Sequence, residues 1–256
     1  MIIVNIAGYK FVELDNGEAL RARLYERASQ LNLKGTVLIS TEGLNVNLAG
    51  SRENISAFRV DLLADGRFAD IKFKESLSTT VPFHRLKVKI KPEIITMHRP
   101  EISPLGKRVQ SISPEQLKQW IDEGRELVML DTRNEFEVKA GSFNNALSLG
   151  MNTFSEFPQA AQNLGDPREH EKPIVTFCTG GIRCEKAALY LAQQGFREIY
   201  QLDGGILNYF ERCGNTHYHG ECFIFDRRIT VNSELQDSGV RTNTPVIPRS
   251  LCAAED

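Results

Sequence analysis

The sequence has little that would tie the chain to a membrane, a secretory route or a disulfide-built scaffold. The opening Met1-Ile2-Ile3-Val4-Asn5-Ile6-Ala7 lacks a basic leader and is too short for a secretory core. No later run approaches the ~20 apolar residues of a membrane helix. Cysteine is scarce: the five are odd in number and confined to the last third, as Cys178, Cys184, Cys213, Cys222 and Cys252. That pattern excludes a dense disulfide framework, so reduced thiols in a cytoplasmic protein are expected. Nor does one sign of charge dominate, since a net charge of -2 excludes an all-over footprint for nucleic acid and leaves room only for a local basic patch. Repeats and low-complexity tracts are missing as well. What remains is the composition of a soluble globular protein, 41% hydrophobic and 25% charged over 256 residues, enough for one large domain or two ordinary ones.

The first hundred residues switch repeatedly between strand and helix periodicity. Residues 1–7 read as a strand, 18–31 as a helix with Leu20, Leu24, Ala28 and Leu31 at helical spacing, and 35–39 as a second strand. A turn at Thr41-Glu42-Gly43 leads into Leu44-Asn45-Val46-Asn47-Leu48, whose strict alternation marks a half-buried strand. Ser51 caps a second helix that runs to about Leu63, and residues 70–74 alternate again. The order β-α-β-β-α-β predicts a ferredoxin-like α+β domain, an antiparallel sheet with two helices on one face. Residues 85–91 extend it by another strand. Three prolines with little periodicity follow between 92 and 104, so we expect a first domain over 1–100 and a linker over 101–112.

Ser113-Pro114-Glu115 then opens a helix, with Ser as N-cap, Pro at the first helical position and an acid at the positive end of the dipole. Buried strands and helices alternate beyond it: a strand at 127–130, a turn at Asp131-Thr132-Arg133-Asn134, a helix at 155–164 and a strand at 174–177. A helix at 184–194 ended by Gly195, a short strand at 198–202 and a helix after Gly204-Gly205 complete the run. This predicts a parallel α/β domain over 113–215, followed by a C-terminal extension and tail over 216–256 that is loosely ordered from 233. In such sheets ligands bind where strand C-termini meet helix N-termini, which is where Asp131 and Cys178 both fall.

The segment Cys178-Thr179-Gly180-Gly181-Ile182-Arg183 places a thiol at the end of a buried strand, ahead of two glycines and a helix. Glycines permit positive φ and let amides turn inward as an anion cradle; the helix start near Cys184 and the Arg183 cation add positive potential. These effects lower a cysteine pKa from about 8.5 and favour the nucleophilic thiolate. A lone buried cysteine is more often structural, but a structural thiol needs no ring of donors. Protein tyrosine phosphatases, by resemblance, have five residues between Cys and Arg, whereas four stand between Cys178 and Arg183. The smaller ring suits a single sulfur atom, such as a persulfide, better than a phosphoryl group.

The loop Cys178-Thr179-Gly180-Gly181-Ile182-Arg183-Cys184-Glu185-Lys186-Ala187 resembles that of the rhodanese-domain tRNA uridine hydroxylases. So do Leu130-Asp131-Thr132-Arg133-Asn134-Glu135-Phe136-Glu137, Tyr200-Gln201-Leu202-Asp203-Gly204-Gly205-Ile206-Leu207 and Gly220-Glu221-Cys222-Phe223-Ile224-Phe225-Asp226. Gly35-Thr36-Val37-Leu38-Ile39, Glu42-Gly43-Leu44-Asn45 and Pro82-Phe83 match too, so the resemblance runs almost the whole chain to about Val231. It implies a rhodanese-like fold for the second domain and oxygen-dependent formation of 5-hydroxyuridine at the tRNA wobble position. Cys178 is then the catalytic residue, able to carry a persulfide, and Asp131 and Arg133 brace the site. From residues alone, Asp131 and Arg133 read equally well as a surface pair at a strand end. Molecular oxygen is the implied co-substrate; no flavin fingerprint, haem motif or facial triad is readable. The family often ends in a cysteine-rich segment, whereas this tail has only Cys252, so no metal is assigned there. The same loop would serve a rhodanese sulfurtransferase or persulfide carrier acting on small thiols or in tRNA thiolation. A catalytically idle rhodanese module would keep the fold without a low-pKa thiol.

Between 65 and 108 ten lysines and arginines face five acids. Alternation puts Arg85, Lys87, Lys89 and Lys91 on one face against Leu86, Val88 and Ile90, and Lys72 and Lys74 opposite Ile71 and Phe73. By themselves these read as a solvated face; with the resemblance they become the expected tRNA contact. Cys213, His217, His219 and Cys222 could ligate zinc, but lack paired C-x-x-C knuckles, and Cys222 reads more simply as buried in a late strand. The expected partner is tRNA, with no membrane and no obligate protein partner.

Overall fold

The computed structural model describes residues 2–107, 109–169 and 171–237. Its first unit is built from β1 (Ile3–Phe11), α1 (Gly17–Gln30), β2 (Lys34–Ser40), β3 (Gly43–Gly50), α2 (Arg52–Leu63), β4 (Lys74–Ser78) and β5 (Leu86–Ile90). The sheet order is β4-β1-β3-β2-β5, antiparallel except for the β2–β5 pair, as the β-α-β-β-α-β order predicts for the first four strands. Val4, Ile6, Val37, Ile39, Leu44, Val46 and Leu48 point to one face and pack on Leu20, Leu24 and Ala28 of α1 and Ile55, Phe58 and Leu62 of α2. Ser51 caps α2, its Oγ accepting from the Asn54 N–H. Period 2 then sends Asn5, Ala7, Tyr9, Thr36, Leu38, Asn45 and Asn47 to the other face.

The strand expected at 70–74 begins only at Lys74, because β4 pairs with β1 from Ala7↔Lys74 to Ile3↔Ser78. Ile71 and Phe73 still pack on the core, so the alternation marked burial correctly and the ladder incorrectly.

The second unit contains β6 (Gln110–Ile112), α3 (Pro114–Asp122), β7 (Val128–Asp131), α4 (Glu135–Val138), β8 (Gly141–Phe143), β9 (Leu147–Ser148), α5 (Phe157–Ala160), β10 (Ile174–Phe177), α6 (Ile182–Gln194), β11 (Ile199–Leu202) and α7 (Gly205–Cys213). Its five-stranded sheet is parallel throughout, in the order β6-β11-β10-β7-β9. Leu117, Ile206, Tyr209 and Phe210 cover one face, and Phe157, Ala187, Ala188 and Leu191 the other. Residues 110–112, expected in a linker, form its edge strand, too short to show a period. The helix expected at 155–164 is broken into a 3-10 turn, α5 and a second 3-10 turn; Pro158 sits in the first turn of α5, where its missing N–H is tolerated, so a new helix starts there and the earlier turn does not run through it.

Beyond α7 come β12 (Tyr218–Gly220), paired with β8, and a ribbon of β13 (Cys222–Phe223) with β14 (Thr230–Val231). Residues 233–237, expected as the start of a loose tail, are tied down instead. Leu235 is buried in the second core, and Gln236 bridges Leu77 of β4. Cys252 lies outside the described residues. Among those residues no helix is long and apolar enough to cross a membrane.

Candidate active site

The parallel register sets Phe177 beside Asp131, so β7 and β10 end together and deliver Asp131 and Cys178 to the same edge. Thr132 secures this junction twice, its backbone N–H and its hydroxyl both donating to the Phe177 carbonyl at 3.0 Å. The chain then turns through Gly181, at φ 99°, into α6. Gly205 is required for a different reason: a Cβ there would lie 2.4 Å from the Cys178 carbonyl oxygen. That close approach lets the first amides of α7 reach the loop, Ile206 N–H donating to the Cys178 carbonyl at 2.9 Å and Leu207 N–H to that of Thr179 at 3.1 Å.

Cys178 itself is buried, at 1% exposure. Burial pushes its thiol up. Against it act a hydrogen bond from Cys184, the Arg183 cation, and the Arg183 and Gly181 amides, the last at 3.1 Å from Sγ. Together these outweigh burial and bring the group down to about 5, so at neutral pH it is a thiolate. Cys184 thus favours the thiolate on the loop sulfur. It is fully buried, its own pKa pushed up by burial and then by Cys178, with Thr132 Oγ1 3.7 Å from its sulfur.

Arg183 does not point into an empty ring. Its guanidinium forms a two-pronged pair with Glu137, Nη1 to Oε2 at 2.6 Å and Nη2 to Oε1 at 2.7 Å, with both side chains buried. Burial opposes its charge and Glu137 more than restores it. Glu137 also accepts from the Asn134 N–H at 3.0 Å and the Thr179 hydroxyl at 3.4 Å, so one carboxylate joins the end of β7 to the loop. Sequence reasoning missed it as a site residue, although an acid three positions after Asn134 carries the spacing of a capping pair.

Asp131 and Arg133 form a second, fully buried pair, Nη2 to Oδ2 at 2.6 Å and Nε to Oδ1 at 2.9 Å. Ser142 donates to Asp131 at 2.7 Å and Arg133 to the Gly141 carbonyl at 2.7 Å. Asp131 and Arg133 therefore bolt β8 to the end of β7, and do not form a surface pair.

The loop opens into a cleft of about 1000 Å³ between the two units, walled on the other side by the helix-free face of the first sheet. Tyr9 reaches across it and donates from its hydroxyl to Glu185 Oε1 at 3.2 Å. Burial, then Glu185, then Cys178 raise its pKa and keep it a donor. Lys186, at 1% side-chain exposure, grips Glu42 at 2.8 Å and Glu93 at 2.6 Å, tying α6 to the first unit. Neither Tyr9 nor Lys186 carries a local signal; their roles arise only when the units dock.

The basic side chains divide. Lys91 lines the cleft, and the pairings Lys87↔Thr36 and Lys89↔Leu38 set those half-buried lysines on the cleft side of the sheet. Arg85 is exposed at the start of the same row. Lys72 is exposed, its ammonium 3.9 Å from Asp203. Lys74 departs from the expected polyanion contact: it is committed to Asn208 at 2.5 Å and Glu211 at 2.7 Å in the second unit. On the apolar side Val88 is buried, but Ile90 is 41% exposed because β5 is an edge.

The four possible zinc ligands do not converge. Cys222 is buried in the core, His217 bonds Asp122 at 2.6 Å and His219 faces Asn144 at 3.3 Å. Among the described residues no group of three or more histidine, cysteine and acidic side chains gathers to hold an ion.

Comparison with known proteins matches residues 3–94 to a UPF0176 acylphosphatase like domain and residues 113–212 to a rhodanese-like domain. The tRNA uridine(34) hydroxylase of Bordetella petrii is 52% identical over 242 residues, 93% of this chain and 96% of that protein. That of Thiobacillus denitrificans is 50% identical over 95% of this chain and all of its own length. A solved rhodanese-related protein from Thermoplasma volcanium covers 41% of this chain and 94% of its own, at 26% identity and a TM-score of 0.34. On identity and coverage that span both units, the chain belongs to the tRNA uridine(34) hydroxylase family.

Proposed function

We propose that this chain hydroxylates the wobble uridine of tRNA to 5-hydroxyuridine, with Cys178 as the catalytic residue and molecular oxygen as co-substrate. One observation carries the reading: a thiol held as thiolate stands where a strand end opens into a cleft roomy enough for a nucleotide. The relatives named as tRNA uridine(34) hydroxylases supply the substrate class.

The surrounding residues have distinct tasks. Thr179, Gly180, Gly181 and Ile182 shape the cradle, and the Gly181 amide and Cys184 donate to the sulfur. Arg183, fixed by Glu137, supplies the cation, and the Asp131 and Arg133 pair keeps the strand end in register. Lys72, Arg85, Lys87, Lys89 and Lys91 attract the RNA backbone toward the cleft mouth, where phosphate contacts position and carry no sequence information. The division of labour follows residues 1–100 for RNA holding and 113–215, with the edge strand at 110–112, for chemistry, joined by 101–109 and braced by the extension from 216. The reading needs a cytoplasmic setting that keeps the thiols reduced, and no obligate protein partner.

Mass spectrometry of tRNA nucleosides tests it. Cells without the gene should lose 5-hydroxyuridine and its derivatives, a plasmid copy should restore them, and a Cys178→Ser copy should not. Unchanged nucleosides in the deletion strain would sink the proposal and leave a sulfurtransferase as the reading to pursue.

A further inference from the structure

Eight large hydrophobic side chains are exposed among the described residues, and of these Phe225 alone lines the cleft. Single exposed apolar residues are ordinary and usually need no explanation. Phe225 differs in how it is held. Its ring is 57% exposed, yet Phe223 stands edge-on at 5.3 Å, Phe136 at 6.4 Å, and the Arg183 guanidinium lies 5.8 Å from its centre.

The segment carrying it, residues 224–229, is fastened on both sides of the ring. Ile224 N–H donates to the Ile229 carbonyl at 2.8 Å, and Ile229 N–H to that of Asp226 at 3.0 Å. Arg228 pairs with Asp226 at 2.5 Å, both side chains 6% exposed, and its Nη1 donates to Ser76 Oγ at 2.8 Å. Arg227 N–H reaches the Pro82 carbonyl of the first unit at 3.1 Å. Ile229 sits at φ 70°, a costly region for a β-branched residue, so the loop accepts strain to keep this shape. A loop tied so firmly that still leaves its aromatic ring in the cleft is presenting that ring.

Proteins that act on a nucleobase must take it out of its stack, and single-stranded RNA is commonly held by stacking bases on aromatic side chains. Arg183 behind the ring is itself held in place by Glu137, so the platform and the cysteine loop share one support. We propose that Phe225 is the platform on which the target pyrimidine stacks as it enters the cleft beside Cys178. This rests on the tRNA reading above and adds the residue that receives the base.

The test is a thermodynamic cycle on the full chain. Binding is measured for an anticodon stem-loop RNA with either uridine or an abasic ribose at the wobble position, to wild type, Phe225→Ala and Phe225→Trp. Phe225→Ala should weaken the uridine RNA roughly tenfold or more and leave the abasic RNA unchanged, while Phe225→Trp keeps wild-type discrimination. The rate of iodoacetamide labelling at Cys178 reports whether the loop is intact. Should Phe225→Ala disturb it, Phe225→Leu, which keeps apolar volume without the ring, decides by the same comparison. Equal loss on both RNAs, or no loss on either, would overturn the platform while wild type still hydroxylates. A wild-type chain that neither distinguishes the two RNAs nor forms 5-hydroxyuridine overturns the tRNA reading and the platform with it.

Discussion

The two units differ in how deeply their strongest ion pairs are buried. In the first, ion pairs such as Arg27 with Asp61 and Arg52 with Glu75 lie on the surface, their side chains from 30% to 57% exposed. In the second, the pairs Asp131 with Arg133 and Glu137 with Arg183 are buried to 5% or less. Exposed pairs contribute about 0–1 kcal/mol each, so the first unit depends on its apolar core. Buried pairs repay desolvation only with good geometry and full hydrogen bonding, and apolar replacements often stabilise as well. Their concentration around one loop therefore marks a place where geometry outranks stability, a charge scaffold for a thiolate.

The comparison breaks most sharply at the sulfur. Cys178→Ser should abolish activity, whereas Cys184→Ser, still able to donate a hydrogen bond, should leave a measurable fraction. Iodoacetamide labelling of Cys178 should titrate near pH 5, and Cys184→Ala should move that midpoint upward by removing a donor. Peptide mapping that finds Cys184 labelled first would reverse the assignment. Because the folded thiol titrates below the unfolded one, its contribution to stability is complete above pH ~8.5 and lost as pH falls through about 5. Cys178→Ser should accordingly lose most stability relative to wild type at alkaline pH and least below pH 5, as urea midpoints across pH would show.

Next in size is the scaffold. Glu137→Ala strands a buried guanidinium and should cost about 3–5 kcal/mol in denaturant unfolding. A change below 1 kcal/mol would mean that water already reaches Arg183 and that the buried pairs differ little from the surface ones. A smaller effect is expected at the cleft rim. Reversing charge at Lys87 and Lys89 should leave the fold intact and reduce the salt dependence of tRNA affinity by close to two counterions. An unchanged slope would detach the basic row from RNA binding. Least of all, Asp61→Ala in the first unit should shift stability by under ~1 kcal/mol.

Much was legible in the chain itself. Alternation in Leu44-Asn45-Val46-Asn47-Leu48 and helical spacing at Leu20, Leu24 and Ala28 sorted core from surface correctly, because burial in a sheet or helix follows local periodicity. The cysteine loop was legible for the same reason: strand, glycines and helix start are consecutive in sequence. Edges were not. Residues 110–112 are too few for a period to show, and the β4 ladder starts where β1 has a partner to offer rather than where alternation begins.

The sequence alone thus determined the two folding patterns, the thiol at a strand end and the row of lysines on β5, all properties of neighbours along the chain. Tertiary structure decided what faces that thiol. Docking the units turned Lys74 from a surface cation into a clamp on Asn208 and Glu211, and Lys186 into a buried tie to Glu42 and Glu93. It also brought Tyr9 to Glu185, 176 positions away, and closed a cleft over Cys178. Such contacts form between residues far apart in sequence, and no local pattern encodes them, since each side chain would look the same on an unpartnered surface.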